Sequence, residues 1–166
     1  MADQKKHANL FLHPDSLKEA VELMFFAYRD FTEVADSLLA AKGLGRAHHR
    51  VIHFVADKPG LTVSALLDTL QITKQSLSRV LKQLVDEGYI DSHVSEEDAR
   101  RRELRLTDKG QALQRELARA QHELILSAFE QVDGEAVDGF RSVMLGMIKK
   151  DQDRRRFERK TKKKRS

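Results

Sequence analysis

The sequence predicts a mainly α-helical fold with a small β-hairpin wing: a winged helix-turn-helix with a helical dimerisation region. Three observations predict it. Apolar residues recur at steps of three and four along most of the 166 residues, which include only two prolines. A three-residue turn separates two short helical segments near the middle of the chain. Directly after them, between Ile90 and Leu106, the apolar period changes to two, which is typical of strands.

Long amphipathic helices are predicted on both sides of this middle segment. The first has its apolar stripe from Leu17 to Leu38, with capping-box spacing of Ser16 and Glu19 at its start. At about 25 residues it would be roughly 37 Å long, longer than a small domain is wide. Two more helices are predicted, after Thr107 and after Asp133. One small winged domain cannot bury three such stripes, so we expect the helices of residues 1–45 and 107–150 to have a partner beyond their own core.

Residues 46–106 contain the predicted DNA-binding elements. In order, these are a helix that ends before Lys58-Pro59-Gly60, a short helix capped by Thr62, a three-residue turn, a helix from Lys74 to Asp86, and a hairpin whose strands are joined by a charged loop. Helix, helix, tight turn, helix and hairpin is the order of a winged helix-turn-helix.

The helix from Lys74 to Asp86 has one apolar and one polar face. At about 100° per residue, Leu77, Leu81 and Leu84 face the core. The opposite face carries amide, hydroxyl and cationic groups, which hydrogen-bond to base edges in the major groove. An ordinary solvated helix face is the alternative. The predicted DNA contacts are Thr73, Lys74, Gln75, Ser76, Ser78, Arg79 and Lys82, with Thr62 and Ser64 at the start of the preceding helix.

The predicted hairpin loop contains three consecutive arginines, Arg100, Arg101 and Arg102. Such crowding of cations is unfavourable unless an anion neutralises them, and arginine is attracted to the negative potential of a narrow minor groove. We expect Asp98 to hold the Arg100 guanidinium in an extended position. The alternative is a loop whose arginines are paired with Glu96, Glu97 and Glu103.

Charge is unevenly distributed along the chain. The net charge is +4, yet residues 154–166 hold nine Lys and Arg and one Glu, or +8, which leaves −4 for the rest. Residues 151–166 are therefore expected to form a disordered basic tail that attracts nucleic acid, since neutralised phosphates release counterions. A solubilising segment or an expression artefact is the alternative. The tail residues expected on DNA are Arg154, Arg155, Arg156, Lys162, Lys163, Lys164 and Arg165.

Segments 61–67, 72–90 and 98–110 resemble the MarR family of bacterial transcriptional regulators. The most specific element is Asp98-Ala99-Arg100 followed by Leu106-Thr107-x-x-Gly110, and residues 72–81 further resemble the PetP-type subgroup. The resemblance implies a homodimer with interlocking terminal helices that binds pseudo-palindromic double-stranded DNA, with Arg100 in the minor groove and Asp98 orienting it. It also implies a cytoplasmic, nucleoid-associated protein. The basic tail departs from the family's common pattern.

Composition excludes several other classes of protein. Cysteine is absent, which excludes disulfides, thiolate metal sites and thiol-based sensing or catalysis. The longest apolar run, Leu23 to Tyr28, is too short to cross a bilayer, and the first residues lack the apolar segment of a secretory signal. No Ser/His/Asp arrangement, glycine-rich phosphate loop or spaced acid pair suggests an enzyme. We therefore expect no catalytic site, no cofactor and no membrane contact.

Two weaker sites and two rival functions remain open. His49 and His53 have the spacing of two ligands of one metal, but no adjacent third ligand, so no metal is expected. The resemblance allows a small-molecule effector at the dimer cleft, although an aromatic stripe is more often plain core. The rivals are a regulator that acts mainly through protein contacts and an architectural DNA binder driven by the tail. The aromatic and histidine candidates for the effector site are Phe11, Phe25, Phe26, Tyr28, Phe31 and His53.

Overall fold

The computed structural model of the chain describes residues 13–95, 98 and 100–164, with side chains described as far as Phe157. Over these residues it contains seven α-helices and one three-stranded antiparallel sheet, which confirms the predicted mainly helical fold with a hairpin. The chain forms two compact units, Met1–His122 and Glu123–Ser166. In the described part of the chain, no helix is both long and apolar enough to span a membrane.

The first helix, α1 (Pro14–Ala40), has 27 residues and is about 40 Å long. It begins two residues before the predicted capping box, because Pro14 supplies the fixed φ of a first helical turn and lacks the N–H that would need a partner. His13 caps it instead, since its Nδ1 accepts the Asp15 N–H at 3.4 Å. The chain then turns at Gly43, whose φ of +68° lies in the left-handed region.

Three shorter helices form the centre of the first unit: α2 (Arg46–Asp57), α3 (Val63–Leu70) and α4 (Lys74–Asp86). Their bounds agree with those predicted. Hydroxyls cap two of them: Thr62 accepts the Ala65 N–H, and Thr73 accepts the Ser76 N–H, each at 3.2 Å. The fully buried side chains on these helices are Val51, Ile52, Val55, Leu66, Leu77 and Leu84.

The sheet contains β1 (Leu61–Thr62), β2 (Ile90–Val94) and β3 (Arg102–Leu106), in the order β1-β3-β2. The predicted hairpin is confirmed: Ile90 lies opposite Leu106 and Ser92 opposite Leu104. Strand β1 is additional, because two residues are too few to show an alternating pattern. Its Leu61 pairs with Leu104 on the central strand, where both are buried in the core.

Helix α5 (Asp108–Phe129) leaves the sheet through Thr107. The Thr107 hydroxyl donates to the Gly88 carbonyl at 2.7 Å and accepts the Gly110 N–H at 3.1 Å, as the predicted cap requires. Leu113 and Leu117 of α5 belong to the core of the first unit.

The second unit contains the end of α5 with α6 (Gly134–Met147) and α7 (Asp151–Lys164). Asp133 caps α6, and Phe140 packs edge to face on Phe129 with ring centroids 5.8 Å apart. Helix α7 differs from the disordered tail that the sequence predicts. Asp151 and Asp153 occupy its first turn and most of its cations follow, an order that suits the helix dipole and favours a helix despite the like charges.

Candidate nucleic-acid interface

The outward face of α4 presents the polar side chains that the sequence predicts. Lys74, Gln75, Ser78 and Arg79 are exposed, while Leu77 on the opposite side is 1% exposed. Within the described part of the chain, the side chains of Lys74, Gln75 and Arg79 make no hydrogen bond or ion pair. Their donors are therefore available to a ligand along the first turn and a half of the helix.

The hydroxyls at the start of α4 are engaged with the helix itself. Thr73 accepts the Ser76 N–H, and its own hydroxyl donates to Ser76 Oγ at 2.9 Å. Ser76 keeps its proton for donation outward. The N–H groups of Lys74 and Gln75 have no partners within the helix and add a partial positive charge, which favours a phosphate.

The side chains of three other predicted DNA contacts differ in whether they already have a partner in the protein. Lys82 is exposed but forms an ion pair with Asp86 one turn later, which competes with any phosphate. Thr62 caps α3, so its oxygen already accepts a backbone N–H. Ser64, in the first turn of α3, is exposed.

The wing loop corrects one expectation, that Asp98 holds the Arg100 guanidinium. Asp98 Oδ1 accepts the backbone N–H of Arg100 at 3.0 Å, while its Oδ2 lies 3.3 Å from Nε of Arg101. Aspartate commonly bonds to the backbone two residues later in a turn, and this turn returns Arg101 to the carboxylate. The Arg100 side chain is exposed, and Arg102 donates to Ser92 Oγ at 3.4 Å.

The base of the wing has a separate polar contact. Ser95, which is 7% exposed, donates through Oγ to Glu103 at 2.8 Å, and its N–H bonds to the Arg101 carbonyl at 2.9 Å. Glu103 also lies 3.7 Å from Arg105. Among the described residues Glu103 therefore pairs with Arg105 and not with a loop arginine. The other two acids of the ion-paired alternative, Glu96 and Glu97, lie outside the described residues.

The basic tail is described in part. Arg154, Arg155 and Arg156 are exposed on α7, and Arg156 Nε lies 3.8 Å from Asp153. The backbone of 158–164 is helical, but the side chains of Lys162, Lys163 and Lys164 and the whole of Arg165 lie outside the described residues.

A cavity of about 220 Å³ lies between α1, α2 and α5 in the first unit. It includes three of the six predicted effector-site residues, Tyr28, Phe31 and His53. Phe25 and Phe26 are exposed and do not line it, and Phe11 lies outside the described residues. The full lining is Tyr28, Phe31, Thr32, Asp36, Arg46, His49, Arg50, His53, Phe54 and Gln121.

Charged groups that sequence reasoning did not single out form part of this cavity wall. Arg46 pairs with Asp36 at 2.6 Å, which raises the pKa of Arg46, and Arg50 donates to the Tyr28 hydroxyl at 3.4 Å. The one-turn spacing of Arg46 and Arg50 is the sequence feature that could have indicated that both face the same side of α2. Burial, with a smaller contribution from neighbouring His53, lowers the pKa of His49 and favours a neutral ring.

His49 and His53, the pair with the spacing of two metal ligands, both line this cavity. Among the described residues, no three His, Cys, Asp or Glu side chains are grouped closely enough to hold an ion. His49 and His53 are thus at most two ligands, short of the number that a zinc site requires.

Both units expose apolar side chains well beyond what scattered surface positions show. In the first unit most of these lie on the N-terminal half of α1, and in the second most lie on the end of α5, in the turn after it and on α6. Groups of exposed apolar side chains are typical of contact surfaces. The residues are Leu17, Val21, Leu23, Met24, Phe25, Phe26 and Tyr28 in the first unit, and Leu124, Ile125, Leu126, Val132, Phe140, Val143, Met144 and Met147 in the second.

Comparison with known proteins gives consistent results. The family profile described as MarR family matches residues 42–101. The chain is 48% identical over 139 residues to the HTH-type transcriptional regulator PetP of Rhodobacter capsulatus, an alignment that covers 84% of each protein.

Solved structures show the same fold. The crystal structure of a MarR family transcription regulator, 24% identical, superposes with a TM-score of 0.67 over 90% of this chain and 94% of that one. Streptococcus pneumoniae FabT in complex with DNA, 19% identical, gives a TM-score of 0.72 over 79% of this chain and 94% of that one.

Proposed function

Because this chain belongs to the MarR family and is a transcriptional regulator that binds DNA, we propose that it acts as a homodimer on a pseudo-palindromic operator. Helix α4 is the recognition helix in the major groove, and the loop between β2 and β3 is the wing in the minor groove. A two-fold axis would set the two recognition helices about one DNA turn, roughly 34 Å, apart.

The observation that carries this proposal is the outward face of α4. Gln75 and Arg79 lie one turn apart, both exposed, with donors that no described residue occupies. Glutamine can pair bidentately with adenine and arginine with guanine, so the two can read adjacent base pairs. Lys74, Ser76, Ser78, Thr62 and Ser64 are suited to phosphates and sugars, which set the register of the protein on the duplex.

We assign the wing arginines to the minor groove. Arg100 is exposed, and Asp98 holds its backbone. Arg101, which is bound to the Asp98 carboxylate, would meet the phosphates at the groove edge together with Arg102. The gain in DNA affinity would be largest where A-tracts narrow the minor groove and strengthen its negative potential.

The exposed apolar faces support dimerisation. They include aromatic and methionine side chains, which are enriched at interfaces. A second copy of this chain would bury both sets, as in a homodimer built from terminal helices. Residues 1–45 and 107–150 would then be the dimerisation regions.

The tail would add affinity without sequence preference. Three exposed arginines on α7 and the cations that follow would neutralise phosphates outside the operator contacts. The same feature is what favours the rival function, an architectural DNA binder. In either case the protein would be found on the bacterial nucleoid.

A small aromatic effector is proposed for the cavity between α1, α2 and α5. Tyr28, Phe31 and Phe54 provide ring surfaces, and Arg50 provides a donor to a polar substituent. Binding there would act on α2, which packs against the recognition helix.

Binding-site selection tests the operator proposal. The full-length protein would be used to select duplexes from a random library, and its mass in solution would be measured by sedimentation. We expect a dimer that prefers one palindrome by about 10³-fold or more over random duplex. Tight binding with little preference would support the architectural alternative instead. Failure to bind any duplex would leave a regulator that works through protein contacts.

A further inference from the structure

A hydrogen-bond network connects the recognition helix to the turn that follows α1. We term it the positioning network, and its members are Gly43, Gly45, His48, Gln83 and Glu87. The Gly45 N–H donates to Nδ1 of His48 at 3.1 Å, and Nε2 of His48 lies 2.8 Å from Oε1 of Gln83. Since Nδ1 is the acceptor, the neutral ring carries its proton on Nε2, which donates to Gln83.

The Gln83 amide can take only one orientation here. Its Nε2 donates to the Gly43 carbonyl at 3.2 Å and to Glu87 Oε1 at 2.8 Å, while its Oε1 accepts from His48. If the amide oxygen and nitrogen of Gln83 were exchanged, an amide N–H would face the N–H of His48. The amide oxygen would then face the carbonyl oxygen of Gly43. The amide therefore connects α2, α4 and the turn between α1 and α2 in a single arrangement.

The position of Gln83 on α4 lies between the DNA-facing residues and the core. It follows Arg79 by one turn, on the flank between the outward face and the apolar face, and it is half-buried. Leu84, the next residue, is fully buried, and Leu44 beside Gly43 is 7% exposed. Both ends of the network are thus held by the core, and its hydrogen bonds oppose rotation of α4 about its own axis.

We propose that His48 and Gln83 are positioning residues for DNA recognition, which set the rotation of α4 and hence the place where Gln75 and Arg79 meet the base edges. The inference rests on the proposed function. Side-chain atoms lie about 5–6 Å from a helix axis, so a rotation of about 10° moves them by about 1 Å. Hydrogen bonds to base edges tolerate only a few tenths of an ångström, whereas attraction to phosphates falls off gently with distance.

A double-mutant cycle in the full-length protein tests this. The variants are His48→Ala, Gln83→Ala and the double variant. The probes are a duplex of about 25 base pairs carrying the palindrome that the unmodified protein selects, and a scrambled duplex. We expect each single variant to lose about tenfold or more on the palindrome and less than about threefold on the scrambled duplex. The double variant should bind the palindrome no more weakly than whichever single variant binds it more weakly. Gln111→Ala, exposed near the start of α5 and outside the exposed apolar faces, is the matched control.

Unfolding in urea shows whether each variant is folded at the assay temperature. If the alanine variants are not, Gln83→Glu replaces them, since it keeps the acceptor for His48 but cannot donate to Gly43. It should lose preference for the palindrome while staying folded. Wild-type preference in a folded variant, additive effects in the cycle, or equal losses on both duplexes would each overturn the inference. If the unmodified protein prefers no duplex at all, the proposed function is what fails.

Discussion

The backbone of Gly110 lies so close to Tyr89 that a Cβ atom at position 110 would be 2.1 Å from the Tyr89 carbonyl oxygen. The same carbonyl accepts the Thr107 N–H at 3.1 Å, and the Thr107 hydroxyl caps the turn that contains Gly110. The motif Leu106-Thr107-x-x-Gly110 is therefore the packing contact through which α5 begins against Tyr89, the residue before β2. Its spacing follows from one hydroxyl cap and one position without a side chain.

Gly110→Ala should destabilise the protein by about 1–3 kcal/mol or more, because a methyl group at this contact forces backbone apart from backbone. Urea unfolding followed by circular dichroism measures the change. Gly139→Ala is the matched control, since no atom lies within 4 Å of the Cβ that it would add. Alanine there should be neutral or stabilising by up to about 1 kcal/mol. Equal stability of the two variants would contradict the packing contact.

The elements that sequence patterns predicted well are those with a local cause. Helix α4 follows from its leucine spacing and the Thr73 cap, and the hairpin follows from alternation around Ser92. Strand β1 escaped prediction because it forms only through pairing with Leu104, far along the chain. The carboxylate of Asp98 bonding to Arg101 likewise depends on the shape of the turn, which residue spacing does not reveal. The outward position of Gln75 and Arg79 was predictable from helical geometry; the cavity was not, since it requires the packing of three helices.

Arg79→Ala should lower affinity for the selected palindrome by about 1–3 kcal/mol and relax the preference at one base pair, because a bidentate contact to guanine would be lost. Competition binding against single-base variants of the palindrome measures both effects. Arg115→Ala removes one exposed arginine from α5 and should leave the base preference unchanged. If Arg79→Ala binds and discriminates as the unmodified protein does, the recognition face has been placed wrongly.

Asp98 makes two contacts in the wing, and two substitutions separate them. Asp98→Asn keeps an oxygen for the Arg100 N–H but removes the charge beside Arg101, whereas Asp98→Ala removes both. If the backbone contact is what shapes the wing, Asn should retain most of the operator affinity and Ala should lose about 1 kcal/mol. Affinity for a palindrome flanked by A-tracts is the measurement. Equal losses in the two variants would assign the effect to the Arg101 ion pair instead.

Deletion of residues 154–166 should make binding less sensitive to salt. Each phosphate contact contributes about −0.9 to the slope of log affinity against log salt, so nine cations per chain could account for up to about 8 of that slope. The loss should be similar for the palindrome and for random duplex, because phosphates carry no sequence information. Binding titrations over a range of salt concentrations check this. An unchanged slope would show that the tail makes no phosphate contacts.

His49 makes stability depend on pH in a direction that its burial fixes. Its pKa is lowered from 6.5 in the folded chain, chiefly by burial and then by the nearby His53. As the pH falls through about 6.5, the unfolded chain takes up a proton at this residue before the folded chain does, so the unfolded state is favoured. The stability that the neutral His49 ring contributes is therefore fully present above the pKa of the unfolded chain. It is lost as the pH falls towards the lowered pKa of the folded chain.

His49→Gln should consequently reduce the fall in the free energy of unfolding between about pH 7.5 and about pH 5.5, because glutamine fills much of the space without titrating. Urea unfolding at the two pH values gives the difference for each protein, so any loss of packing that is common to both pH values cancels. His122→Gln, exposed on α5, is the control for removal of one imidazole, and the His49→Gln difference is compared with it. A His49→Gln variant with the full pH dependence would show that the ring takes up its proton in the folded state as readily as in the unfolded one, and the cavity wall would then be wetter than its packing indicates.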